Sequence, residues 1–388
     1  MTEIDVEAVR ADTPGAVEVI HLNNAGAALV PKPVLSTVID YLEAEARMGG
    51  YEAATSRAEA LDLVYKNGGH LINADPSEIS YVNSATQGWF RALESVKFRK
   101  GDRALVSSSE YVANVFGLAQ LRRQGVKVEV IPDDRYGTTS VEQLESMLTE
   151  KVKLVCVTHV PTGGGLINPV AGIGNLIRQS KFNPLYLVDA AQSVGQMTVD
   201  VEEIKCDFLV TTGRKFLRAP RGTGLLYMRS GLKLVDPRVL DGRSANWTDN
   251  WIYRLNEGAQ AYETFETNMA AKAGFGVAIG YALDVGLDPI AKRISELTAK
   301  LRSGLNALPL VDVVEHDGLQ SGIVTFRVQG RSSQAVVATL RAWGINTSLV
   351  QTQPSLFDPT GRLSTELVRA SVHYYNTEDE IDMLLVTL

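Results

Sequence analysis

The chain has 388 residues, 45% of them hydrophobic and 21% charged, which is enough for a large core and about two domains of an ordinary globular protein. Its net charge of −7 disfavours nucleic acid or an anionic membrane as partner, because both demand a basic face, and no apolar run is long enough to span a bilayer. The acidic start, Met1-Thr-Glu-Ile-Asp, lacks the features of a signal peptide, and Cys156 and Cys206 both sit in apolar segments, so a reduced, cytoplasmic protein is expected.

In chain order, Leu22-Asn-Asn-Ala25-Gly26-Ala27 is a loop of small residues, and Pro31–Met48 carries a helical pattern. Strand-like Ile79–Val82 leads into Asn83-Ser-Ala85-Thr86-Gln-Gly88 and a helix. In such a turn, backbone N–H groups and the helix dipole can face a phosphate. From about 70 to 230, short apolar runs (Ala104–Ser107, Val128–Ile131, Lys153–Thr158, Leu185–Asp189, Phe208–Thr212, Gly224–Met228) alternate with amphipathic stretches such as Asn114–Gln124 and Val141–Thr149. That alternation predicts a mostly parallel sheet covered on both faces. Gly125 is a predicted helix C-cap. Beyond 270 the character changes to one long helical region over 270–305, strand-like Val311–Glu315 and Gly322–Val328, helical Ser333–Trp343 and a last helix after Asn376. A smaller α+β unit is expected there.

The most informative stretch lies at the centre. Leu185–Asp189 delivers a carboxylate at a strand end, Gln192 follows three residues later, and Thr212-Gly-Arg214-Lys215 precedes the glycine-rich Ala219-Pro-Arg-Gly222-Thr-Gly224. This order suits pyridoxal 5'-phosphate (PLP). A lysine forms a Schiff base with the aldehyde, an aspartate keeps the pyridine nitrogen protonated, and hydroxyls and cations hold the phosphate.

The same residues resemble the aminotransferase class V family, which includes the cysteine desulfurases and reads Asp-x-x-Gln or Asp-x-x-His, then Ser-x-His-Lys. Flanking motifs extend the resemblance from Leu22 to Asn376. It implies a type I PLP fold, with an α/β large domain over 16–265 built on a mostly parallel seven-stranded sheet, and a small α+β domain made of 1–15 and 266–388. It also implies a homodimer with a shared active site and an amino-acid substrate.

By that resemblance Ala85 and Thr86 bind the phosphate, together with Thr212 and Arg214, the latter in place of a histidine. Asp189 pairs with the ring nitrogen, Gln192 donates to the ring oxygen, and Lys215 is the Schiff-base lysine. Arg214, Arg218 and Arg221 are expected around Lys215, their field favouring its neutral form. Tyr111 takes the place of the stacking histidine in Ser109-Glu-Tyr111-Val-Ala-Asn114, and a phenol is a poorer near-neutral acid or base than imidazole. In Thr158-His159-Val-Pro-Thr162, Thr162 replaces an asparagine that helps bind the substrate carboxylate, and His159 is either a direct participant or a strand-end residue.

Arg369, in Val368-Arg369-Ala-Ser371-Val-His-Tyr-Tyr375-Asn-Thr377, is expected to grip the substrate α-carboxylate, with Ala25 and Gly26 lining that site. Asn268 stands where the family reaches into the neighbouring phosphate site, the alternative being a plain helix start. Tyr51, in the Met48–Tyr51 turn, is a further candidate for entering the neighbouring site, and Trp89, Trp247, Tyr262 and Gln351 are candidates for lining the pocket. No metal site is read.

The family fixes the cofactor more firmly than the reaction. Cysteine desulfurases carry a cysteine nucleophile on a loop in the C-terminal third, and this chain has none after Cys206. The forms around Lys215 and Arg369 resemble the branch holding isopenicillin-N-epimerase-like proteins and C–S lyases of ergothioneine and lincosamide pathways. The favoured expectation is C–S β-elimination from an S-substituted cysteine in a natural-product or thiol pathway. Transamination, decarboxylating deamination or epimerisation of a similar amino acid are the alternatives, and a catalytically silent binding module is the alternative from another class.

Overall fold

The computed structural model describes residues 3–314, 318, 320–350 and 366–388. A seven-stranded sheet orders its strands Ile79–Val82, Gly224–Met228, Phe208–Thr212, Leu185–Asp189, Val152–Thr158, Arg103–Val106 and Lys127–Val130. All pairings are parallel except those made by Gly224–Met228, which runs antiparallel to both neighbours. Phe208–Thr212, Tyr186–Asp189 and most of Val152–Thr158 are buried, as their unbroken apolar runs require of a sheet covered on two faces.

The predicted helices form with ends shifted by a residue or two: Lys32–Met48, Val112–Arg123, Val141–Met147, Ser333–Ala342 and Glu378–Thr387. Gly125 does adopt positive φ (88°) after the second of these. The long helical region is not one element. It breaks at Gly286 (φ 94°) into Met269–Val285 and Leu287–Ala307, which meet at 78°. Only glycine adopts that backbone without strain. Among the described residues no single helix is long and apolar enough to cross a membrane.

A four-stranded antiparallel sheet orders Val311–Val313, Ile323–Val328, Leu367–Ser371 and Ser348–Val350. Ile20–His21 pairs in parallel with Ile345–Asn346, and Ser371 N–H donates to Leu22 O at 2.7 Å, so the early segment is stitched to this second sheet. The helix Met269–Val285, which a division at 265 assigns to the small unit, packs against Lys32–Met48 and Ala58–Ile72. An antiparallel hairpin, Ala245–Asp249 with Ile252–Leu255, stands largely exposed and has no counterpart among the predicted elements.

Candidate active site

Three parts of the fold converge on one cavity of about 200 Å³: carboxyl ends of the large sheet's parallel strands, the start of the helix Ala85–Ser95, and the loop carrying Lys215. It is lined by Ala85, Thr86, Tyr111, Thr162, Asp189, Gln192, Thr212, Arg214 and Lys215 among others. Strand ends of an open parallel sheet are where such sites are expected.

The lysine loop is tied from several sides. Gly213 N–H donates to Thr223 O at 3.0 Å and Ala219 N–H to Gly213 O at 2.9 Å, while Ala28 N–H reaches Arg214 O at 2.9 Å. Gly213 has no room for a Cβ, which would stand 2.2 Å from Thr223 Oγ1. Lys215 is buried, and burial lowers its pKa to about 7, with Arg214 and Arg369 acting in the same sense and Asp189 opposing them. Arg218 does not contribute as expected. It turns away into a buried pocket, donating to Leu29 O and Tyr374 Oη, both at 2.9 Å, and to Thr13 Oγ1. Desolvation first, rather than a ring of three arginines, thus favours the neutral amine.

Arginines gather at this site. Arg214 and Arg221 both line the cavity, and burial and then Arg221 lower the pKa of Arg214. Arg369, also buried, is brought down to about 10 by burial and then by Arg214. Among the described residues none of these three has an ion-pair partner. Beside them, Ser84 caps the helix Ala85–Ser95 through Gln87 N–H (3.1 Å), and the N–H groups of Ala85 and Thr86 precede the first helical bond. The pattern is a receptor for anions.

Asp189 accepts from Ala191 N–H at 3.0 Å and from Asn114 Nδ2 at 2.9 Å. The same Asn114 nitrogen donates to Glu110 at 2.8 Å, and Ser107 Oγ (2.7 Å) and Thr158 Oγ1 (3.1 Å) also donate to that carboxylate. Burial pushes Glu110 up to about 7, against those hydrogen bonds and with Asp189 adding repulsion. His159 is buried and held neutral, its pKa lowered to about 4 by burial; its Nδ1 has no partner and it does not line the cavity.

Gln192 Nε2 donates to Ala25 O (3.1 Å) and Thr162 Oγ1 (3.0 Å), leaving its Oε1 buried and unpartnered. Arg369 Nη1 donates to Thr162 O and Oγ1, and Nη2 to Asn23 Oδ1 at 3.3 Å. Gly26 sits against Asn23, where a Cβ would come within 2.7 Å of Oδ1. The four substrate-side candidates, Ala25, Gly26, Thr162 and Arg369, are therefore contiguous.

Residues 20–384 match the aminotransferase class V family. The chain belongs to that family. Among its relatives, a probable cysteine desulfurase of Methanothermobacter thermautotrophicus is 28% identical, over 98% of this chain and 97% of the relative. A cysteine desulfurase of Shigella sonnei is 29% identical, over 99% and 97%. An apo cysteine desulfurase structure from Thermococcus onnurineus NA1 superposes with a TM-score of 0.89 at 26% identity, covering 100% of this chain and 97% of the other. The cystine C–S lyase C-DES, solved with cysteine persulfide, shares the fold at a TM-score of 0.87 and 23% identity. The fold is thus type I of the PLP-dependent class V enzymes.

The class V site fits PLP by its own chemistry. Unpaired arginines at a helix N-terminus suit a phosphate, a carboxylate at a strand end suits a protonated ring nitrogen, and a buried neutral lysine suits an aldehyde.

Asn268 is not among the lining residues; it caps the helix Met269–Val285 through Ala271 N–H at 2.8 Å. Its neighbour Thr267 donates to Oδ1 of Asn83, a lining residue, at 3.0 Å. Trp89 is buried in the core, Trp247 stands on the exposed hairpin, Tyr262 lies outside the lining set and Gln351 falls outside the described residues. Sequence reasoning missed the bridging of Asn114 and the contact of Asn23 with Arg369. The spacing of Glu110 and Asn114, four residues apart at a helix start, was the available signal for the first.

Proposed function

We propose that this class V enzyme cleaves the Cβ–S bond of an S-substituted cysteine, with PLP as cofactor, giving a thiol or sulfenate, pyruvate and ammonia. The observation that carries the reading is the placement of Lys215 and Asp189 on one cavity that neither thiol can reach, with Arg369 hydrogen-bonded to Thr162 in its wall. Cys156 and Cys206 are both fully buried and both unpaired, and burial pushes each thiol up. A nucleophilic cysteine would need the opposite environment. The relatives' names speak for a cysteine-like substrate; the lack of an accessible cysteine in the described residues speaks against persulfide formation on the protein. Two unpaired thiols also fit a reducing compartment.

PLP, when bound, would supply an electron sink that acidifies the substrate Cα–H. Lys215, held near neutrality, takes that proton at Nζ. Arg369 would hold the α-carboxylate as a bidentate pair and so choose which Cα bond Lys215 meets. Asp189 keeps the ring nitrogen protonated, and Ala85, Thr86, Thr212 and Arg214 hold the phosphate. Sulfur leaves with the Cβ–S electrons, and the three-carbon remainder hydrolyses to pyruvate and ammonia.

The test is an absorbance spectrum during titration with an S-substituted cysteine, with pyruvate and free thiol assayed alongside. A visible band that shifts as both products appear supports the lyase. The same shift without pyruvate moves the reaction to transamination, decarboxylation or epimerisation. No band after adding PLP removes the cofactor reading.

The reading includes a homodimer. Exposed aromatics support it: Tyr51 (73% exposed) and Phe265 have ring centroids 6.2 Å apart, and the hairpin presents Trp247 and Trp251 to solvent. Such patches mark interaction surfaces. Sedimentation of the purified chain as a monomer would remove this part.

A further inference from the structure

Glu110 has no part in the chemistry above, yet it sits directly behind Asp189. Asn114 Nδ2 donates to Glu110 Oε2 at 2.8 Å and to Asp189 Oδ2 at 2.9 Å, spending both of its hydrogens on two carboxyl groups. The fork of an amide NH2 puts those acceptor oxygens about 5 Å apart. Ser107 Oγ and Thr158 Oγ1 complete the ring of donors around Glu110. No cation is among them. The other titratable groups that interact with it among the described residues are Cys156 and Tyr186, both kept neutral by burial, and Asp189, which in turn faces Lys215. Two carboxylates joined by one neutral amide cannot both carry charge comfortably in a buried site unless a cation arrives.

We propose that Glu110 is a positioning residue that acts on the cofactor's ring nitrogen through Asn114 and Asp189. It holds a proton in the cofactor-free protein and releases it to solvent when the cationic ring docks, so that two negative charges rather than one retain the ring proton. The inference rests on the PLP reading. It gives the site a means of matching its own charge to an arriving pyridinium, which agrees with the raised proton affinity of Glu110 in the cofactor-free chain.

The test uses the full chain loaded with PLP labelled with 15N at the ring nitrogen, comparing the wild type with Glu110→Gln across pH. Glutamine keeps the shape and remains neutral, so it mimics the protonated acid permanently. The ring 15N signal should hold its protonated position to higher pH in the wild type, with the midpoint falling by about one to two pH units in the variant. Glu110→Asp, which restores the charge, should recover most of that shift. Superimposable curves for the wild type and Glu110→Gln would overturn the inference while leaving PLP binding intact. Failure of the wild type to bind labelled PLP would overturn the cofactor reading itself.

A second measurement covers the case of a variant that does not fold. Infrared difference spectra of the wild type near neutral pH, before and after loading with PLP, should show the loss of a protonated-carboxyl C=O band. An unchanged carboxyl region would count against the proposal.

Discussion

Arg369 Nη1 donates to both the carbonyl and the hydroxyl oxygen of Thr162, at 3.1 and 2.8 Å. The residue that replaces the family's usual asparagine has become an anchor for the guanidinium that should grip the substrate. Arg369→Lys loses the planar fork, so kcat/KM should fall about 100-fold with the bound-cofactor absorbance unchanged. Steady-state kinetics beside a spectrum separate the two.

Thr162→Val keeps the shape of that anchor and removes its hydroxyl. Arg369 retains the bond to the Thr162 carbonyl, and Gln192 loses an acceptor. KM should rise roughly tenfold with kcat less affected, as for an interaction made equally in ground and transition states.

Lys215→Ala should abolish the visible cofactor band and lower turnover by at least about 10³-fold, while the far-UV circular dichroism spectrum and sedimentation stay unchanged. Normal turnover in that variant would remove the central assignment.

The lysine also carries a stability signature. Its pKa falls from 10.5 to about 7 in the folded chain. Between those values the unfolded chain binds more protons than the native one, so stability rises with pH. The penalty is fully present below about pH 7 and gone above the unfolded value of 10.5. Lys215→Met should therefore stabilise the PLP-free protein, by on the order of a few kcal/mol at pH 7 and by less at pH 9. Thermal melts of both proteins at the two pH values check it.

Arg218 adopts positive φ (57°), and its guanidinium lies 4.6 Å from the centre of the Tyr375 ring. It pins the lysine loop to the C-terminal unit and to the Thr13–Leu29 region. Arg218→Met should cost about 3 kcal/mol, visible as a lower urea midpoint, because it orphans several buried acceptors.

The sheet was readable because its strands are continuous apolar runs, and Asp189 and Lys215 because they stand at fixed offsets from a strand end. Other features left no such trace. The break at Gly286 sits within an Ala- and Gly-rich stretch where one more glycine stands out little. The fate of Arg218, three residues beyond Lys215, depends on Leu29, Tyr374 and Thr13, which are remote in sequence. Clusters of arginine look alike in one dimension, and only packing separates a structural clamp from an anion ligand. Asn268 was ambiguous for a related reason, since a residue that caps a helix and one that contacts a phosphate need the same short polar side chain.

The two thiols have a practical consequence. Cys156 lies within the strand Val152–Thr158, and Cys206 leads into Phe208–Thr212, the two strands that flank Leu185–Asp189 in the large sheet, both with no exposed surface. A thiol reagent can therefore reach them only when the sheet itself opens, and its reaction rate becomes a clock for that opening. The native chain carries its own reporter of global breathing, and any cysteine placed on its surface becomes a single addressable handle.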